Sequence, residues 1–252
     1  MSVRRLFRVE HEGVARHVVE TEGTYRLVEG DVFAGDYTLG VQVKPTRILP
    51  PVVPSKIVAI GLNYKDHAAE MKKMLPVEPL MFMKPSTAVI GPGDGIRLPR
   101  GAGRVDYEAE LAVVIGKRAR HVPSDRAANY ILGFTCLNDV TDRDLQVKDV
   151  QYTRAKGFDT FAPIGPCVAV GLDPAELDIE GWVNGEKRQS SNTRQLIFSV
   201  GQLVAFVTSV MTLLPGDVIA TGTPAGVGPL KAGDRVMVKI AGIGELTNPV
   251  IE

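Results

Sequence analysis

The sequence has few cysteines, no net charge and no apolar run long enough to cross a bilayer. Its two cysteines, Cys136 and Cys167, lie in apolar strand-like segments, which predicts buried thiols in a reducing compartment rather than a disulfide framework. Lys plus Arg and Asp plus Glu both number 29, so no net charge favours nucleic acid or an anionic membrane as a partner. The longest nearly apolar run, LVAFVTSVMTLL from Leu203, is shorter than the roughly 20 residues that a transmembrane helix needs. MSVRRLFRVEHEG at the N-terminus lacks an apolar signal core, so we expect a cytoplasmic location.

Two glycine-rich segments lack the patterns that bind nucleotides. TGTPAGVGP, residues 221–229, contains no G-K-[ST], and Pro229 stands where a helix would have to begin. GPGDG, from Gly91, does not match the dinucleotide-binding spacing either. We therefore exclude ATP and NAD as ligands of these segments. TGTPAGVGP is either a wide turn or a loop whose backbone and hydroxyl groups can approach an anion, and both interpretations stay open.

The chain of 252 residues, with 44% apolar and 23% charged residues, is typical of one large globular domain with room for a small appendage. Short alternating runs over residues 3–43 predict small antiparallel strands. The proline-rich segment KPTRILPPVVPSK then favours an extended connector. We therefore predict a small N-terminal β module, residues 1–50, followed by a main domain, residues 54–252.

Strand patterns outnumber helix patterns after the connector and do not alternate with them as βαβ units would. This predicts an α+β fold that is mostly β, mixed and largely antiparallel, with few helices. The strongest helix signal is SVGQLVAFVTSVMTLL, where Ser199 and Gln202 form a capping box before apolar residues spaced three and four apart. SDRAANYI also predicts a capped helix, and TDRDLQVKD predicts a helix with Thr141 as its N-cap.

VDYEAELAVVIG, residues 105–116, places Glu108 and Glu110 on the same face of a strand that is otherwise apolar. A third carboxylate, Asp139, ends the apolar strand GFTCLND. Three such carboxylates from two strands can hold one face of a hard divalent ion such as Mg²⁺ or Mn²⁺. Alternatively, the two glutamates line a solvated face and pair with Lys and Arg. The apolar strand favours a covered face, and the residues alone leave the two interpretations evenly balanced.

DHAAE places His67 and Glu70 three residues apart on one face of a short helix. A carboxylate that holds an imidazole fixes its tautomer and raises its basicity, which suits a general base. The competing interpretation is an exposed helix with an incidental His–Glu contact. The flanking Gly61 and Pro76 are also compatible with a movable lid.

Seven segments, in this order, resemble the fumarylacetoacetate hydrolase family: GLNYKDHAAE, LMFMKPST, VDYEAELAVVIGK, LNDVTDRDLQ, TRAKGFDTFAPIGP, VNGEKRQSSNT and LLPGDVIATGTPAGVGPL. The resemblance extends over residues 54–252. It implies a β-rich roll, a homodimer, and a Mg²⁺ or Mn²⁺ site that binds a small 2-oxo acid.

The resemblance also implies a role for each matching residue. The implied metal ligands are Glu108, Glu110 and Asp139. The implied catalytic residues are the base pair His67 and Glu70 and the charge-stabilising Lys156. The implied substrate-site residues are Arg143, Gln146, Thr223, whose loop would hold a substrate carboxylate, and Lys84, for which a structural ion pair is nearly as good an interpretation.

One departure narrows the expected activity. The larger founding hydrolase has a fourth acidic ligand near the position where this chain reads LNY, and Asn63 does not replace that charge. The pattern is similar instead to the short bacterial branch. We expect hydrolysis of a C–C bond in an acylpyruvate of the fumarylpyruvate type through an enolate. The alternatives are a 2-hydroxyhepta-2,4-diene-1,7-dioate isomerase/decarboxylase or an oxaloacetate decarboxylase/tautomerase. Intact His67, Glu70 and Lys156 argue against a non-catalytic binding protein.

Overall fold

β-strands make up most of the regular structure in residues 3–252, the part of the chain that the computed structural model describes. The first ten strands are β1 (Arg4–His11), β2 (Val14–Thr21), β3 (Thr24–Asp31), β4 (Asp36–Val43), β5 (Arg47–Leu49), β6 (Ile57–Ile60), β7 (Met81–Lys84), β8 (Val89–Ile90), β9 (Ile96–Arg97) and β10 (Val105–Tyr107). The other ten are β11 (Ala109–Ile115), β12 (Ile131–Asn138), β13 (Thr141–Asp142), β14 (Ala162–Val170), β15 (Asp178–Val183), β16 (Glu186–Asn192), β17 (Val218–Ala220), β18 (Gly228–Pro229), β19 (Arg235–Ile240) and β20 (Gly244–Ile251).

Helices are short by comparison. The α-helices are α1 (Lys65–Glu70), α2 (Arg143–Lys148), α3 (Thr153–Lys156) and α4 (Val200–Val210), and 3₁₀ turns cover Ser86–Ala88, Ser124–Tyr130 and Thr193–Gln195. None of the helices in the described part of the chain is both long and apolar enough to cross a membrane.

The strands form three sheets, and the largest has the order β4-β3-β2-β1-β14-β12-β11-β17-β6-β7, with β5 beside β1 and β8 beside β14. A second sheet has the order β16-β15-β19-β20-β9, and a small third sheet has the order β13-β10-β18. Most neighbours are antiparallel, whereas β17 with β6, β14 with β8 and β20 with β9 are parallel. The predicted α+β fold, mostly β with mixed sheets and few helices, is confirmed.

The apolar strand β11 is buried on both faces. It lies between β12 and β17 in the largest sheet. Leu111 and Val113 belong to one hydrophobic cluster, whereas Ala112 and Val114 belong to a second cluster. Side chains alternate along a strand, so Glu108 and Glu110 share the second face with Ala112 and Val114. The predicted covered face is therefore present, and the two glutamates point into the protein rather than into solvent.

The N-terminal strands β1–β4 form an antiparallel series at one end of the largest sheet. Register pairs such as Leu6 with Val168 join β1 to β14, so these strands continue the sheet of the main domain. The proposed division between residues 1–50 and 54–252 stays a prediction.

Two of the predicted helix starts differ from the structure. Asp142, not Thr141, caps α2, because its carboxylate accepts a hydrogen bond from the Leu145 N–H at 3.0 Å. Thr141 lies in β13 and donates its hydroxyl to the Asp139 carbonyl at 2.8 Å. The segment SDRAANYI is a 3₁₀ turn without a side-chain cap. The capping box of α4 is confirmed, although the helix ends at Val210, before the last apolar residues of the predicted segment.

Asp217 joins the start of β17 to the segment that leads into β6. Its buried carboxylate accepts hydrogen bonds from the Ser55 N–H at 3.0 Å, the Ser55 hydroxyl at 2.6 Å and the Leu214 N–H at 2.8 Å, and it pairs with Lys56. Burial by itself raises the pKa of Asp217, but the donors from Lys56 and Ser55 outweigh it and lower the pKa below its usual value. Ionised Asp217 therefore stabilises the junction of the two strands.

We expect Asp217→Asn to lower the free energy of unfolding at neutral pH by about 2–4 kcal/mol, because an uncharged amide cannot accept this set of donors. The wild-type contribution is present above the pKa of the unfolded state and is lost as pH falls through the lower folded value. Chemical denaturation at pH 7 and at acidic pH measures both effects. Asp125→Asn, at an exposed position, is the matched control. Equal stability of the Asp217 variant and wild type at pH 7 would contradict this role.

Candidate active site

Three carboxylates from neighbouring strands converge on one point. Glu108 lies between β10 and β11, Glu110 lies in β11, and Asp139 directly follows β12. The antiparallel pairing of Ala109 with Asn138 places Asp139 beside Glu108, and the Asp139 N–H donates to the Glu108 carbonyl at 2.9 Å. One oxygen from each of the three carboxylates lies within 4.8 Å of the others, and all three residues are buried. The strand pairing thus assembles the predicted group of ligands.

Two lysines and an arginine neutralise two of these carboxylates. Lys156 Nζ donates to Glu108 Oε2 at 2.8 Å and to Asp139 Oδ2 at 2.6 Å. Lys84 Nζ donates to Asp139 Oδ1 at 2.6 Å, and Arg143 Nη2 lies 2.6 Å from Glu108 Oε1. The pairing with Lys and Arg that the sequence offered as an alternative is therefore present for Glu108 and Asp139, but inside the protein.

Glu110 differs from the other two carboxylates. It is 1% exposed, and its recorded hydrogen bond comes from the Gly222 N–H at 2.8 Å, with no ion pair to any Lys, Arg or His of residues 3–252. Burial raises the pKa of Glu110 well above its usual value, and the charges of Asp139 and Glu108 raise it further. Burial also raises the pKa of Glu108, but Lys156 and Arg143 outweigh it and lower that pKa to about 2. A cation beside Glu110 would favour its ionised form and so lower its pKa towards that of Glu108.

The carboxylates fit a hard divalent ion. They supply oxygen ligands only, close together, which Mg²⁺ and Mn²⁺ prefer, and ionised Glu110 has no ion-pair partner among residues 3–252. The two cysteines are far less suitable for zinc, since burial raises the pKa of both thiols. The donor atoms of the site therefore fit the predicted Mg²⁺ or Mn²⁺ ion.

α1 carries a His–Glu pair. His67 Nδ1 lies 2.9 Å from Glu70 Oε2, and His67 is buried while the Glu70 side chain is 45% exposed. The Glu70 carboxylate also accepts from the Gly226 N–H, at 3.1 Å and 3.3 Å, so it joins α1 to the glycine-rich loop. With Nδ1 directed at Glu70, the imidazole has Nε2 available for a proton transfer.

Further contacts fix the position of α1. The Asp66 carboxylate accepts from the His67 N–H at 2.7 Å and from the hydroxyl of Ser191 on β16. Asn63, just before the helix, donates to the Thr221 carbonyl at 2.7 Å and accepts from the Phe198 N–H at 2.8 Å. Asn63 therefore has a structural role here: it joins three segments through its buried amide.

The His67–Glu70 pair and the carboxylates of Glu108 and Glu110 line one cleft of about 730 Å³. Eight of the ten predicted site residues line it: His67, Glu70, Glu108, Glu110, Arg143, Gln146, Lys156 and Thr223. The other two, Lys84 and Asp139, are fully buried beneath the carboxylates and do not line the cleft. The structure thus brings all ten together: eight line the cleft, Asp139 contributes an oxygen to the carboxylate group from below the cleft surface, and Lys84 contacts Asp139.

Two of the predicted substrate-site residues already make protein contacts. The Thr223 hydroxyl donates to the Ala109 carbonyl at 2.9 Å and accepts from Gln189 Nε2 at 2.8 Å, so its hydrogen is not free for a substrate carboxylate. Gln146 Oε1 accepts from Arg143 Nη1 at 2.9 Å, which leaves the Gln146 amide nitrogen for a ligand. The substrate-binding roles stay predictions.

Two buried polar residues of the site, Asp106 and Gln189, were not predicted from the sequence. Asp106 is 0% exposed and accepts from Arg143 Nε at 2.8 Å, which positions the guanidinium that contacts Glu108. The same two-residue spacing that linked Glu108 and Glu110 extends to Asp106 and could have found it. Gln189 binds the Ala109 N–H at 2.9 Å as well as Thr223 and the Pro224 carbonyl. Its segment VNGEKRQSSNT belonged to the family resemblance, but no spacing within it marked Gln189.

The chain is similar to proteins of one family throughout this region. The family model described as "Fumarylacetoacetate (FAA) hydrolase C-terminal" matches residues 56–251. An uncharacterized protein of Archaeoglobus fulgidus is 59% identical over 233 residues, which cover 92% of each chain.

Two solved structures share the fold over 98% of each chain. One is a 2-hydroxyhepta-2,4-diene-1,7-dioate isomerase from Mycobacterium marinum, 42% identical with a TM-score of 0.92. The other is a maleylpyruvate hydrolase from Sphingobium sp. SYK-6 in complex with manganese(II) ion and pyruvate, 31% identical with a TM-score of 0.81. These relatives are enzymes, one an isomerase and one a hydrolase. The match over the strands that carry the carboxylates and over α1 confirms the predicted assignment: the chain belongs to the fumarylacetoacetate hydrolase family.

Proposed function

We propose that this protein is a Mg²⁺- or Mn²⁺-dependent enzyme of 2-oxo or 2,4-dioxo acids that hydrolyses a C–C bond of an acylpyruvate. The observation that carries the proposal is that His67, held by Glu70, lines the same cleft as the carboxylates and Lys156. The reaction requires a base and a centre that stabilises negative charge. His67 with Glu70 matches the first requirement, and the metal-ligating carboxylates with Lys156 match the second. The manganese(II) ion and pyruvate bound to the hydrolase from Sphingobium support it.

Glu108, Glu110 and Asp139 would hold the ion, which when bound supplies a Lewis acid that polarises a chelating 2-oxo acid. Lys156 has three N–H donors, and two of them bind Glu108 and Asp139. The third is available to a substrate oxygen, where the ammonium stabilises the negative charge of an enolate. Phe82, with its ring centroid 5.0 Å from Lys156 Nζ, covers one side of this ammonium.

His67 acts on water in this proposal. Nε2 takes a proton from a water molecule while Glu70 stabilises the resulting imidazolium. The water oxygen forms a bond to the distal 4-oxo carbon, and the bond between carbons 3 and 4 then breaks. The electron pair of that bond goes to the pyruvate enolate, which a proton converts to pyruvate, and the acyl part leaves as a carboxylic acid. One water is consumed and no redox partner is needed.

An isomerase is the second candidate function. It is favoured by the solved isomerase from Mycobacterium marinum, which is more similar to this chain than the solved hydrolase from Sphingobium is. In that case His67 would carry a proton between carbons of a conjugated acid, and no water would attack. Homodimer formation and a cytoplasmic location also stay predictions.

The first test is turnover by metal-stripped protein. We expect release of pyruvate from acetylpyruvate or fumarylpyruvate only after Mg²⁺ or Mn²⁺ is added, measured by coupling to lactate dehydrogenase. 2-Hydroxyhepta-2,4-diene-1,7-dioate should be unchanged in a proton NMR time course. Isomerisation of that compound without pyruvate release from the acylpyruvates would replace the hydrolase by the second candidate. Full activity of the metal-stripped protein would remove the metal requirement.

The second test separates the base from the metal ligands. His67→Gln should lower kcat by roughly 10²- to 10⁴-fold, the usual contribution of a general base. Calorimetric titration should show unchanged Mn²⁺ binding, because His67 pairs with Glu70 and forms no hydrogen bond with Glu108, Glu110 or Asp139. His11→Gln, on β1 and outside the cleft, is the matched control. Retained turnover in His67→Gln would overturn the base assignment.

The third test uses the raised pKa of the buried Glu110 carboxyl. Its folded pKa lies above the unfolded one, so its contribution to stability is full below the unfolded pKa and is lost as pH rises through the folded value. We expect the thermal midpoint of the metal-free protein to fall as pH rises above roughly 5. Mn²⁺ should reverse the fall. In Glu110→Gln, which mimics the protonated carboxyl, this part of the pH dependence should disappear.

Glu176→Gln, at an exposed position, is the control for that variant and should leave both the pH dependence and the Mn²⁺ effect intact. A Glu110→Gln protein that Mn²⁺ still stabilises as strongly as wild type would contradict the placement of the ion at Glu110.

A further inference from the structure

Four apolar side chains line the cleft although solvent reaches them. Leu80 is 54% exposed and Val147 is 86% exposed. Phe82 and Tyr152 are partly exposed, and their ring centroids lie 5.4 Å apart. We call Leu80, Phe82, Tyr152 and Val147 the apolar wall. The proposed reaction uses only Phe82 among them, as a cover for Lys156, so the wall as a whole needs another explanation.

On β7 the wall begins at the charged centre and leads away from it. Lys84, Phe82 and Leu80 occupy alternate positions, which share one face of a strand. Leu80 just precedes β7, but its carbonyl accepts from the Gly61 N–H at 2.8 Å, which continues the pairing of β7 with β6. Lys84 is 0% exposed and binds one of the carboxylates, and the Phe82 ring centroid lies 5.0 Å from Lys156 Nζ. Because every two residues of a strand advance by roughly 6.6 Å, the half-exposed Leu80 lies outward of this centre.

α2 leads outward in the same way. It begins at Arg143, whose guanidinium lies 2.6 Å from the Glu108 carboxylate and whose side chain is 22% exposed. Val147 follows four residues later on the same side of the helix, roughly 6 Å further along its axis, and is 86% exposed. α2 packs against α3, which Tyr152 precedes. A strand and a helix thus each place a charged side chain at the carboxylates and an aliphatic one further out.

The direction of the wall matches the direction of the substrate. In the proposed reaction the 2-oxo acid end lies at the carboxylates and Lys156, so the acyl group extends away from them. An alkyl or aryl group in that position covers Leu80 and Val147 and removes their apolar surface from water. Removal of apolar surface from water is favourable and does not depend on precise orientation.

We propose that the apolar wall binds the acyl end of the substrate, so that the preferred substrates are acylpyruvates whose acyl group is an alkyl or aryl chain. This inference rests on the proposed function, because it assumes that the 2-oxo acid end binds at the carboxylates. It differs from the fumarylpyruvate type expected from the sequence, whose acyl group ends in a second carboxylate. Such a carboxylate is the competing occupant, and Lys73 in the cleft lining would attract it.

Three 2-oxo acids test the wall without any turnover. They are pyruvate, 2-oxohexanoate, which is longer by three methylene groups, and 2-oxoadipate, which has the length of 2-oxohexanoate but ends in a carboxylate. Calorimetric titration of the Mn²⁺-loaded protein should show 2-oxohexanoate binding roughly 10- to 50-fold more tightly than pyruvate, from about two- to fourfold for each methylene that the wall covers. 2-Oxoadipate should bind more weakly than 2-oxohexanoate.

The double variant Leu80→Ser/Val147→Ser should lose most of this gain, so that 2-oxohexanoate binds within about threefold of pyruvate, while pyruvate binds as in wild type. Both side chains are exposed, so the variant should keep the thermal midpoint of the wild-type protein. Val77→Ser is the matched control: Val77 is 98% exposed and outside the cleft lining, and this variant should keep the full gain.

The outcomes separate this inference from the proposed function. Pyruvate that binds as tightly as 2-oxohexanoate, or 2-oxoadipate that binds more tightly, overturns the inference and leaves the proposed function intact. A gain that persists in the double variant does the same. If sedimentation then shows that this variant has lost self-association, the wall is a contact with a second copy of the chain. If the protein binds Mn²⁺ but none of the three acids, the proposed function fails and the role of the wall with it.

Turnover gives a second readout. KM for 2,4-dioxooctanoate should be roughly tenfold or more below KM for acetylpyruvate at similar kcat, since the wall contacts a part of the substrate remote from the reacting carbons. In the double variant, KM for 2,4-dioxooctanoate should rise towards that of acetylpyruvate, which should itself stay within about twofold of wild type. Equal changes in KM for both substrates would contradict a subsite for the acyl chain.

Discussion

The burial of Glu110 without an ion-pair partner in residues 3–252 is the constraint on which the site depends. Glu110 belongs to β11, a strand covered on both faces by the hydrophobic clusters that hold the largest sheet together. A carboxylate at such a position is unfavourable unless it is protonated or a cation lies beside it. The strand that forms the core thus also creates a place where a divalent ion is strongly favoured.

Lys84 and Lys156, the two lysines that bind Asp139, differ in their access to the cleft. Lys84 is fully buried, binds Asp139 and the Val140 carbonyl, and has no access to the cleft. Lys156 reaches the same Asp139 from the cleft side and keeps one N–H donor free. Because these ammonium groups neutralise Asp139 and Glu108, the protein can hold the carboxylates together before an ion binds. In the proposed function, an ion would then be attracted mainly by Glu110, and the third N–H of Lys156 would remain available to the substrate.

The position of His67, the proposed base, depends on contacts with segments far from α1 in sequence. A helix of six residues is too short to be stable by itself, so its position comes from tertiary interactions. Ser191 holds Asp66 and Gly226 holds Glu70, from the β15–β16 hairpin and from the glycine-rich loop. The same loop donates the Gly222 N–H to Glu110. Movement of this loop would therefore affect both Glu70, the partner of the proposed base, and Glu110, a proposed metal ligand.

Backbone periodicity predicted two pairs of site residues from the sequence, whereas the resemblance to the family supplied Lys84, Arg143, Gln146, Lys156 and Thr223. The two-residue repeat of a strand placed Glu108 and Glu110 on one face, the three-residue spacing of a helix paired His67 with Glu70, and the capping box located α4. These predictions succeeded because each depends on geometry within one element. The same rules misplaced the cap of α2, where Thr141 is drawn into β13 and Asp142 takes the cap.

Contacts between distant segments were decided only by the tertiary structure. The position of Lys84 and Lys156 on either side of Asp139 depends on how α3 packs against β7 and β13, and no spacing in the sequence encodes it. The sequence determined that three carboxylates and a His–Glu pair were present and which way each pair faced. The folded protein decided which carboxylate lacked a counter-charge, because charge compensation is set by the distances between atoms from separate strands.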